Sequence, residues 1–349
     1  MQQFNRQHFN RLLILAAQAL VAGSGFAQTI FTIPQGYTKV AIAGADGPGE
    51  TKLTSISASL LQPAAYSGSA TLGAYTDNPD PALDSQIVNV AGVTWTATQW
   101  TTEPYVAYIS VADDPGNADG IAPAEEAYLI TGNTTDGALT LECEFDLSTR
   151  FPASTTITIR RANTLDTFFE NLTEPFGGND VVYLWSGVDW ESFQFSGGQW
   201  TTIADPFTNV GPITLVRPDE GLFISRASTT PITVTIFGEI PAAPQITNIK
   251  SVSFVASRFP IETTLLDSGI ANGNWNGNDV VYIWNPNASP SPAWDSYQFS
   301  GGNWTTVADP FTPVNDTPIP ANSAIFVSRA NPVSPANGGT TSKLPYTVE

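Results

Sequence analysis

Two tryptophan–glutamine pairs are the residues whose types and spacing best suit ligand binding. Trp190 and Gln194 lie four positions apart, and Trp294 and Gln298 repeat that spacing further along the chain. An exposed indole offers a broad apolar surface for the apolar face of a sugar, while an amide hydrogen-bonds its hydroxyl groups. These four residues are therefore the ligand-binding candidates. The alternative is that both indoles pack in a β core.

Four aspartates repeat in the same way and are the candidates for carboxylate chemistry. Asp180 matches Asp279, and Asp205 matches Asp309. Glycoside hydrolysis needs two acids roughly 5–10 Å apart and no histidine. Each of these aspartates lies in Gly-Asn-Asp or Asp-Pro, which are turn sequences. One enzyme seldom needs its site in each of two copies, so no catalytic residue is assigned and a non-enzymatic protein is expected.

An oxygen-rich segment is the candidate for cation binding. Residues Asp114–Gly120 read DPGNADG, and Glu126 follows them. Setting Gly120 at the sixth position of a helix–loop–helix calcium loop places Pro115 at the first, where a side-chain oxygen is needed. The alternative is an ordinary turn rich in Asp, Asn and Gly. No metal-binding residue or cofactor is therefore assigned, and calcium is the only cation considered.

Residues 1–27 are expected to be a secretory signal peptide. Arg6 and Arg11 precede an apolar run that extends from Leu12 to Ala22, and a Gly-Phe-Ala sequence ends at Ala27. This order is typical of a cleaved leader, and the run is too short to span a bilayer. The alternative is a buried helix. We expect an exported protein that is extracellular, surface-associated or periplasmic, with no membrane insertion.

The scarcity of histidine and cysteine excludes several enzyme classes. The only histidine is His8, inside the expected leader, and the only cysteine is Cys143. A mature chain without imidazole has no Ser–His–Asp triad, no Cys–His pair and no histidine-ligated metal. A single cysteine leaves no internal disulfide, so a hydrophobic core must stabilise the fold.

The charge of the chain limits its partners. The formal net charge is −19, and binding to nucleic acid requires clustered Lys and Arg. We expect no nucleic-acid partner. Extracellular or cell-surface polysaccharide and other surface proteins are the expected partners, with solubility as the alternative reason for the charge.

An internal duplication is the most specific feature of the sequence. The matched blocks are Gly177–Trp185 with Asn276–Trp284, Trp190–Phe207 with Trp294–Phe311, and Gly221–Ala227 with Ala324–Ala330. An RFPxxTT sequence precedes each copy, at Arg150–Thr156 and at Arg258–Thr264. We therefore expect an amino-terminal β domain over 28–149, a first repeat module over 150–240 and a second over 241–349.

The middle block predicts a β-hairpin. Its turn, Ser196–Gln199, contains Gly-Gly, which tolerates the positive φ of tight hairpin turns. Phe195 then lies opposite Trp200, and both share the core face with Phe193. Trp190 falls on the opposite face, which is predicted to be polar. The other tryptophans shared by the copies are expected in the core: Trp185, Trp200, Trp284 and Trp304.

Several of these motifs resemble a known family. They are PxGYxxV from residue 34, GNDVVYLW, an aromatic strand followed by SGG and tryptophan, and GLFISRA. The family is an uncharacterised group of secreted, often paralogous, β-rich proteins from verrucomicrobial bacteria. The resemblance covers most of the mature chain. It implies export and β structure, and it supplies no activity, substrate or catalytic residue.

The sequence thus predicts an all-β fold of tandem β-sandwich-like or barrel-like modules with an internal duplication. The expected function is that of a secreted or surface-associated, non-enzymatic structural or adhesive protein. The first alternative is a carbohydrate-binding protein that uses the tryptophans of the repeats. A carboxylate-dependent glycoside hydrolase is a more distant alternative.

Overall fold

The computed structural model describes residues 35–111, 123–272, 275–288, 291–331 and 334–346, which all lie in one compact unit, Gln35–Glu349. Strands account for 47% and helices for 4% of the residues, which confirms the predicted all-β fold. The expected signal peptide and the calcium candidate Asp114–Gly120 lie outside the described residues. None of the described helices is long and apolar enough to cross a membrane.

The elements are numbered in chain order. The strands are β1 Gln35–Ile42, β2 Lys52–Ser57, β3 Ala64–Thr76, β4 Ser85–Asn89, β5 Tyr105–Val111, β6 Glu125–Asn133, β7 Ala138–Glu142, β8 Ser154–Arg161, β9 Asn163–Thr164, β10 Val181–Trp185, β11 Trp190–Ser196, β12 Gln199–Thr202, β13 Leu215–Val216, β14 Gly221–Arg226, β15 Ile232–Glu239, β16 Gln245–Asn248, β17 Val252–Ala256, β18 Thr263–Thr264, β19 Val280–Asn285, β20 Ala293–Ser300, β21 Asn303–Thr306, β22 Pro318–Ile319, β23 Ala324–Ser328 and β24 Gly339–Ser342. A single-turn helix, α1, spans Leu165–Phe168, and 3₁₀ turns span Pro81–Leu83, Leu147–Thr149 and Pro335–Asn337.

The first copy is a β-sandwich. Its larger sheet has the strand order β12–β11–β10–β14–β2, and β1 pairs with β15 in a smaller sheet. Because side chains alternate along a strand, one face of each sheet turns inward. Val182, Phe193 and Trp200 of the larger sheet are buried with Ile42 and Val234 of the smaller one. The two sheets therefore hold one hydrophobic core between them.

The second copy repeats the larger sheet of this plan, with the order β17–β23–β19–β20–β21. Its strand β16 pairs with β24 and also, in parallel, with β6. Val281, Tyr297 and Trp304 are buried at the positions equivalent to Val182, Phe193 and Trp200 of the first copy. The predicted duplication of sandwich modules is confirmed.

A six-stranded barrel lies between β2 and β9 in the chain. Its strands follow the order β6–β5–β8–β3–β4–β7, and β7 pairs back with β6 to close the ring. Ile109, Leu139, Leu141, Ile157 and Ile159 fill its interior, and each is completely buried. The barrel thus interrupts the first sandwich, which uses β1 and β2 from before it and β9–β15 from after it.

The two RFPxxTT segments occupy different structural positions. Arg150 follows a 3₁₀ turn, and its segment leads into barrel strand β8. Arg258 follows β17 of the second sandwich. The match between these segments therefore does not mark the start of a structural repeat.

Strands β2 and β17 are the true counterparts at the start of the two copies. Leu53 of β2 pairs with Ser225, and Val252 of β17 pairs with Ser328. The two serines are the same residue of the duplicated GLFISRA and AIFVSRA blocks. Each copy therefore places an equivalent strand at the edge of its larger sheet.

The predicted hairpin is confirmed. Phe195 pairs with Trp200, and Phe193 pairs with Thr202. Gly197 has φ 61° and Gly198 has φ 84°. Two successive positive φ values are the requirement of a type I′ turn, which explains why the sequence places two glycines there.

Candidate functional site

The predicted binding residues Trp190 and Trp294 lie in an interface between the two larger sheets. We call this cluster the aromatic interface: Leu53, Tyr183, Trp185, Trp190, Phe223, Phe254, Trp284, Trp294, Ala324 and Phe326. Trp190 is 37% exposed and Trp294 is half-buried. Each larger sheet packs one face against the core of its own sandwich. Its other face contacts the larger sheet of the other copy, and this contact joins the two copies.

The Trp190 indole already has several aromatic neighbours. Its ring centroid lies 5.1 Å from that of Trp185, 5.5 Å from Phe223 and 5.4 Å from Phe254. Such separations are typical of packed aromatic pairs. The predicted polar face is therefore wrong where the tryptophans lie, because the second copy covers it with aromatic rings. Trp185 and Trp284, which are predicted to lie in the sandwich cores, belong to this interface instead.

Two equivalent hydrogen bonds cross the aromatic interface. Trp185 Nε1 donates to the carbonyl oxygen of Val252 at 3.3 Å, and Trp284 Nε1 donates to that of Leu53 at 3.2 Å. Trp185 is the counterpart of Trp284, and Leu53 is the counterpart of Val252. The contact is thus self-complementary, as in an isologous dimer, although one chain provides both sides.

The glutamines of the predicted pairs remain apart. Gln194 lies on β11 between Val181 and Thr201, and Gln298 lies at the same place on β20 of the other sheet. Both are half-buried. The structure therefore brings the two predicted tryptophans into one cluster but leaves the glutamines on separate sheets.

The repeated aspartates directly before β10 and β19 have a structural role. Asp180 accepts hydrogen bonds from the amides of Gly177 and Ala227, both at 2.8 Å, and pairs with Arg226 at 2.5 Å. Asp279 has the same kind of position beside Arg329. All four charged side chains are buried. These carboxylates hold turns and strand ends in place.

The second pair of aspartates shapes two identical loops. Asp205 Oδ1 accepts from the Phe207 amide at 3.0 Å, and Asp309 Oδ1 accepts from the Phe311 amide at 3.1 Å. Hydrogen bonds from Thr208 and from the Phe207 amide lower the pKa of Asp205, and the equivalent bonds lower the pKa of Asp309. Both carboxylates are therefore charged turn caps.

These loops present exposed phenylalanines. We call residues 203–207 and 307–311 the DPF loops. Phe207 is 86% exposed and Phe311 is 90% exposed, and the apolar residues Ile203 and Val307 of the same loops are also exposed. Phenylalanine is usually buried, so the same exposure at two equivalent positions is informative. The DPF loops follow β12 and β21, the outer strands of the two larger sheets.

An acidic cleft of about 570 Å³ lies where the barrel, the loop before β14 and the end of β16 meet. Its acidic side chains are Glu126, Glu142, Glu144, Glu191, Asp219 and Glu220, and its basic side chains are Arg217 and Lys250. Acids thus outnumber bases in the lining, which gives the cleft an excess of negative charge.

Glu220 has a strongly perturbed carboxyl group in this cleft. Burial and the neighbouring Asp219 carboxylate raise the pKa of Glu220 to about 7. The pKa of Arg217 is raised as well, because the neighbouring carboxyl groups of Glu220, Glu142 and Asp219 outweigh the lowering effect of burial. The acids and the base of the cleft therefore act on one another electrostatically.

The sequence interpretation missed both the DPF phenylalanines and the cleft acids. The DPF motif repeats, but repetition alone does not tell an exposed ring from a core ring. Asp219 and Glu220 could have been found from a difference between the copies, since Asn322 and Ser323 replace them in the second copy. Because the second copy adopts the same fold without these two acids, the fold does not require them, and such a difference marks candidates for another role.

The described residues contain neither a cluster that could bind a metal ion nor an exposed thiol. Within those ranges, no three His, Cys, Asp or Glu side chains lie close enough together to hold a metal ion. Glu126, at the end of the calcium candidate, is bound by Arg150. Cys143 is buried and free, and burial raises the pKa of its thiol to about 12.

Comparison with known proteins gives no relative. No protein-family model matches the chain, and neither the curated proteins nor the solved structures contain a significant match. The family resemblance of the sequence motifs stays a prediction.

Proposed function

We propose that this chain is an exported, non-enzymatic adhesive protein that holds an extended extracellular polymer at two equivalent points, the DPF loops. The observation that carries the proposal is the nearly complete exposure of Phe207 and Phe311 at matching positions of the two copies. Export and the absence of catalysis come from the sequence interpretation and are part of the proposal.

The DPF loops are suited to binding because their shape is set in advance. Asp205 and Asp309 hold the loop amides, so little conformational entropy is lost when a partner covers the rings. Burying one phenylalanine side chain contributes about 1.5–3 kcal/mol. Two linked contacts raise the avidity well above that of either one, by about 10²–10⁴ where the ligand reaches both.

The duplication favours a ligand with repeating units. A polymer of identical units offers the same surface to both loops, which a single small molecule does not. Polysaccharide is the polymer proposed, because sugar rings have apolar faces that match an exposed phenyl ring. The exposed carboxylates of Asp205 and Asp309 bind the backbone amides of Phe207 and Phe311 in the same loops, so a neutral polysaccharide fits better than an anionic one.

Trp190 and Trp294 support this function in a different way from the one predicted. Their rings pack within the aromatic interface, which fixes the two copies relative to each other. The distance between the two DPF loops is then set by the protein rather than by a flexible linker. Sugar binding by Trp190, Gln194, Trp294 and Gln298 stays a prediction.

A depletion assay with insoluble neutral polysaccharides tests the proposal. F207A and F311A should each weaken binding by about 10²-fold or more, because the loss of one contact also removes the avidity, and F207A/F311A should abolish binding. V188A is the matched control, since Val188 is an exposed apolar residue (79%) outside the DPF loops. Unchanged binding by the double variant, or equal loss in V188A, would refute the proposal.

A further inference from the structure

A separate cavity lies at one end of the smaller sheet of the first sandwich, beside α1. Its volume is about 250 Å³, and it is bordered by Gln35 and Gly36 of β1, by Thr235–Gly238 of β15 and by residues around α1. Sites for drug-sized molecules usually measure about 300–1,000 Å³. This cavity therefore suits one small ring of a ligand that continues outside it.

Gly36 leaves open space at the border of this cavity. Its φ is not positive, and the nearest contact of an added Cβ would be Ile240 Cδ1 at 3.9 Å. At Gly238, which pairs with Gly36, a Cβ would instead lie 2.4 Å from the Leu61 carbonyl oxygen. Glycine weakens a strand and often marks the close approach of a ligand or of another backbone. The Leu61 backbone explains Gly238, whereas no described part of the chain explains Gly36.

Two amide side chains of the cavity are held in a fixed arrangement. Gln62 Nε2 donates to Asn163 Oδ1 at 2.8 Å, and both side chains are half-buried. This bond leaves Gln62 Oε1 as an acceptor and Asn163 Nδ2 as a donor, and both atoms are open to solvent. A hydroxyl group both donates and accepts. The pair is therefore complementary to neighbouring hydroxyl groups on a ligand.

The charge of the cavity favours an uncharged ligand. Glu170 is the only ionisable residue among those that line it, and its Oε1 accepts from Asn171 Nδ2 at 3.0 Å. An anionic ligand would find no basic partner in this lining and would be repelled by the Glu170 carboxylate. A purely apolar ligand would leave the amides unpaired.

An exposed aromatic pair extends outward from the cavity. Phe237 lines the cavity and is 53% exposed, and Tyr37, its partner on β1, is 63% exposed. Their ring centroids are 6.0 Å apart, so the two rings form one continuous apolar surface. Large aromatic rings are usually buried, and an exposed apolar patch is typical of a binding surface. An apolar surface next to hydroxyl-binding amides matches the two faces of a sugar chain.

We propose that this cavity binds one ring of a neutral oligosaccharide, with Gln62 and Asn163 bonding its hydroxyl groups. The open space beside Gly36 admits the ring, and the surface of Tyr37 and Phe237 supports the next unit of the chain. The second copy does not repeat this surface, because its paired strands β16 and β24 carry no aromatic residue.

The site is independent of the DPF loops, although the class of ligand is the same. It uses none of the residues of those loops. A single site lacks the avidity of two linked contacts. It is therefore detected by titration at high ligand concentration and adds little to depletion by an insoluble polysaccharide.

Calorimetric titration of the whole protein with maltohexaose, cellohexaose and mannohexaose tests the inference. At least one of these hexaoses should bind, and hexagalacturonic acid should bind at least about tenfold more weakly because it is anionic. Q62A should weaken binding by about tenfold, the loss of one or two hydrogen bonds. F237A should have a similar effect, since it removes half of the aromatic surface.

G36V tests the cavity itself and should weaken binding by at least about tenfold. Valine suits a strand, and its Cβ meets open space, so the variant should keep the melting temperature of the wild type. V188A is the control for an exposed apolar residue elsewhere (79% exposed) and should bind as the wild type does. If G36V does not fold, Q62A and F237A decide the question.

The same titrations in the F207A/F311A background separate this inference from the proposed function. Q62A and F237A should weaken binding there by the same factors, whatever the depletion assay shows for the DPF loops. The inference is overturned if the wild type binds none of the three hexaoses, or if Q62A and F237A bind as the wild type does. Binding that disappears in F207A/F311A alone would assign the sugar to the DPF loops and would equally overturn it.

Discussion

Gly221 and Ala324 are equivalent residues of the two copies, and they face each other across the contact between the two larger sheets. A Cβ atom built on Gly221 would collide with the Cβ of Ala324 and lie 3.1 Å from the Phe254 ring. Residues that meet their own counterparts lie beside a local two-fold axis. There is room for at most one methyl group at this axis, so the two copies cannot both carry alanine there.

Gly221→Ala should destabilise the protein by roughly 1–3 kcal/mol, the usual cost of an overpacked core. Its backbone has no positive φ that would favour glycine, so the cost comes from the collision alone. Urea unfolding at equilibrium measures it. The variant G221A/A324G provides the control, because it moves the methyl group across the axis and should recover most of the loss. Equal stability of G221A and wild type would contradict the described contact.

Asp180→Ala should cost about 3–5 kcal/mol, because it leaves the buried Arg226 guanidinium without its charge partner. It also removes the acceptor for the Gly177 and Ala227 amides. Asp279→Ala should have a similar effect in the second copy, whereas the exposed Asp205→Ala should cost much less. Thermal unfolding ranks the three variants. A ranking with Asp205→Ala as the most destabilised would be inconsistent with these roles.

Glu220 should make stability depend on pH. Burial and Asp219 raise the pKa of Glu220 from 4.5 to about 7 in the folded protein, while the unfolded chain keeps the ordinary value. The stabilisation from its protonated form is therefore fully present below about 4.5 and is lost as the pH rises through about 7. E220Q should gain stability relative to wild type over that interval. Parallel curves of unfolding free energy against pH would argue against a raised pKa.

Cys143 should be unreactive in the folded protein. Its side chain is 4% exposed, and burial raises the pKa of its thiol to about 12, so the reactive thiolate is scarce. Ellman's reagent at about pH 8 should label it only after urea is added. Rapid labelling of the native protein would indicate an open path from the acidic cleft, which Cys143 borders.

Local patterns predicted local structure well. The pairing of Phe195 with Trp200 follows from the period of two along a strand and from the Gly-Gly turn. Tyr105–Val111 likewise has the β-branched and aromatic composition that favours a strand. These features depend on neighbours within one hairpin, which a single sequence contains.

Long-range contacts could not be predicted from such local patterns. Whether the face of Trp190 meets water or Phe254 depends on where the second copy lies, and no local period encodes that position. The closure of the barrel by β6 and β7 is equally non-local. So is the pairing of Leu53 with Ser225, because all the barrel strands lie between these two residues in the sequence. The RFPxxTT match is too short to mark equivalent positions, because its five identical residues recur in different structural settings.

The insertion of the barrel into the first sandwich fixes an order of assembly. Strand β2 leaves the ribosome before the barrel, and its partner β14 leaves after it, so the first larger sheet stays open until the barrel is complete. The second sandwich builds its larger sheet, β17–β23–β19–β20–β21, from one continuous stretch, with much shorter loops to close. The aromatic interface requires both finished sheets, which makes the joining of the two copies the closing step of folding.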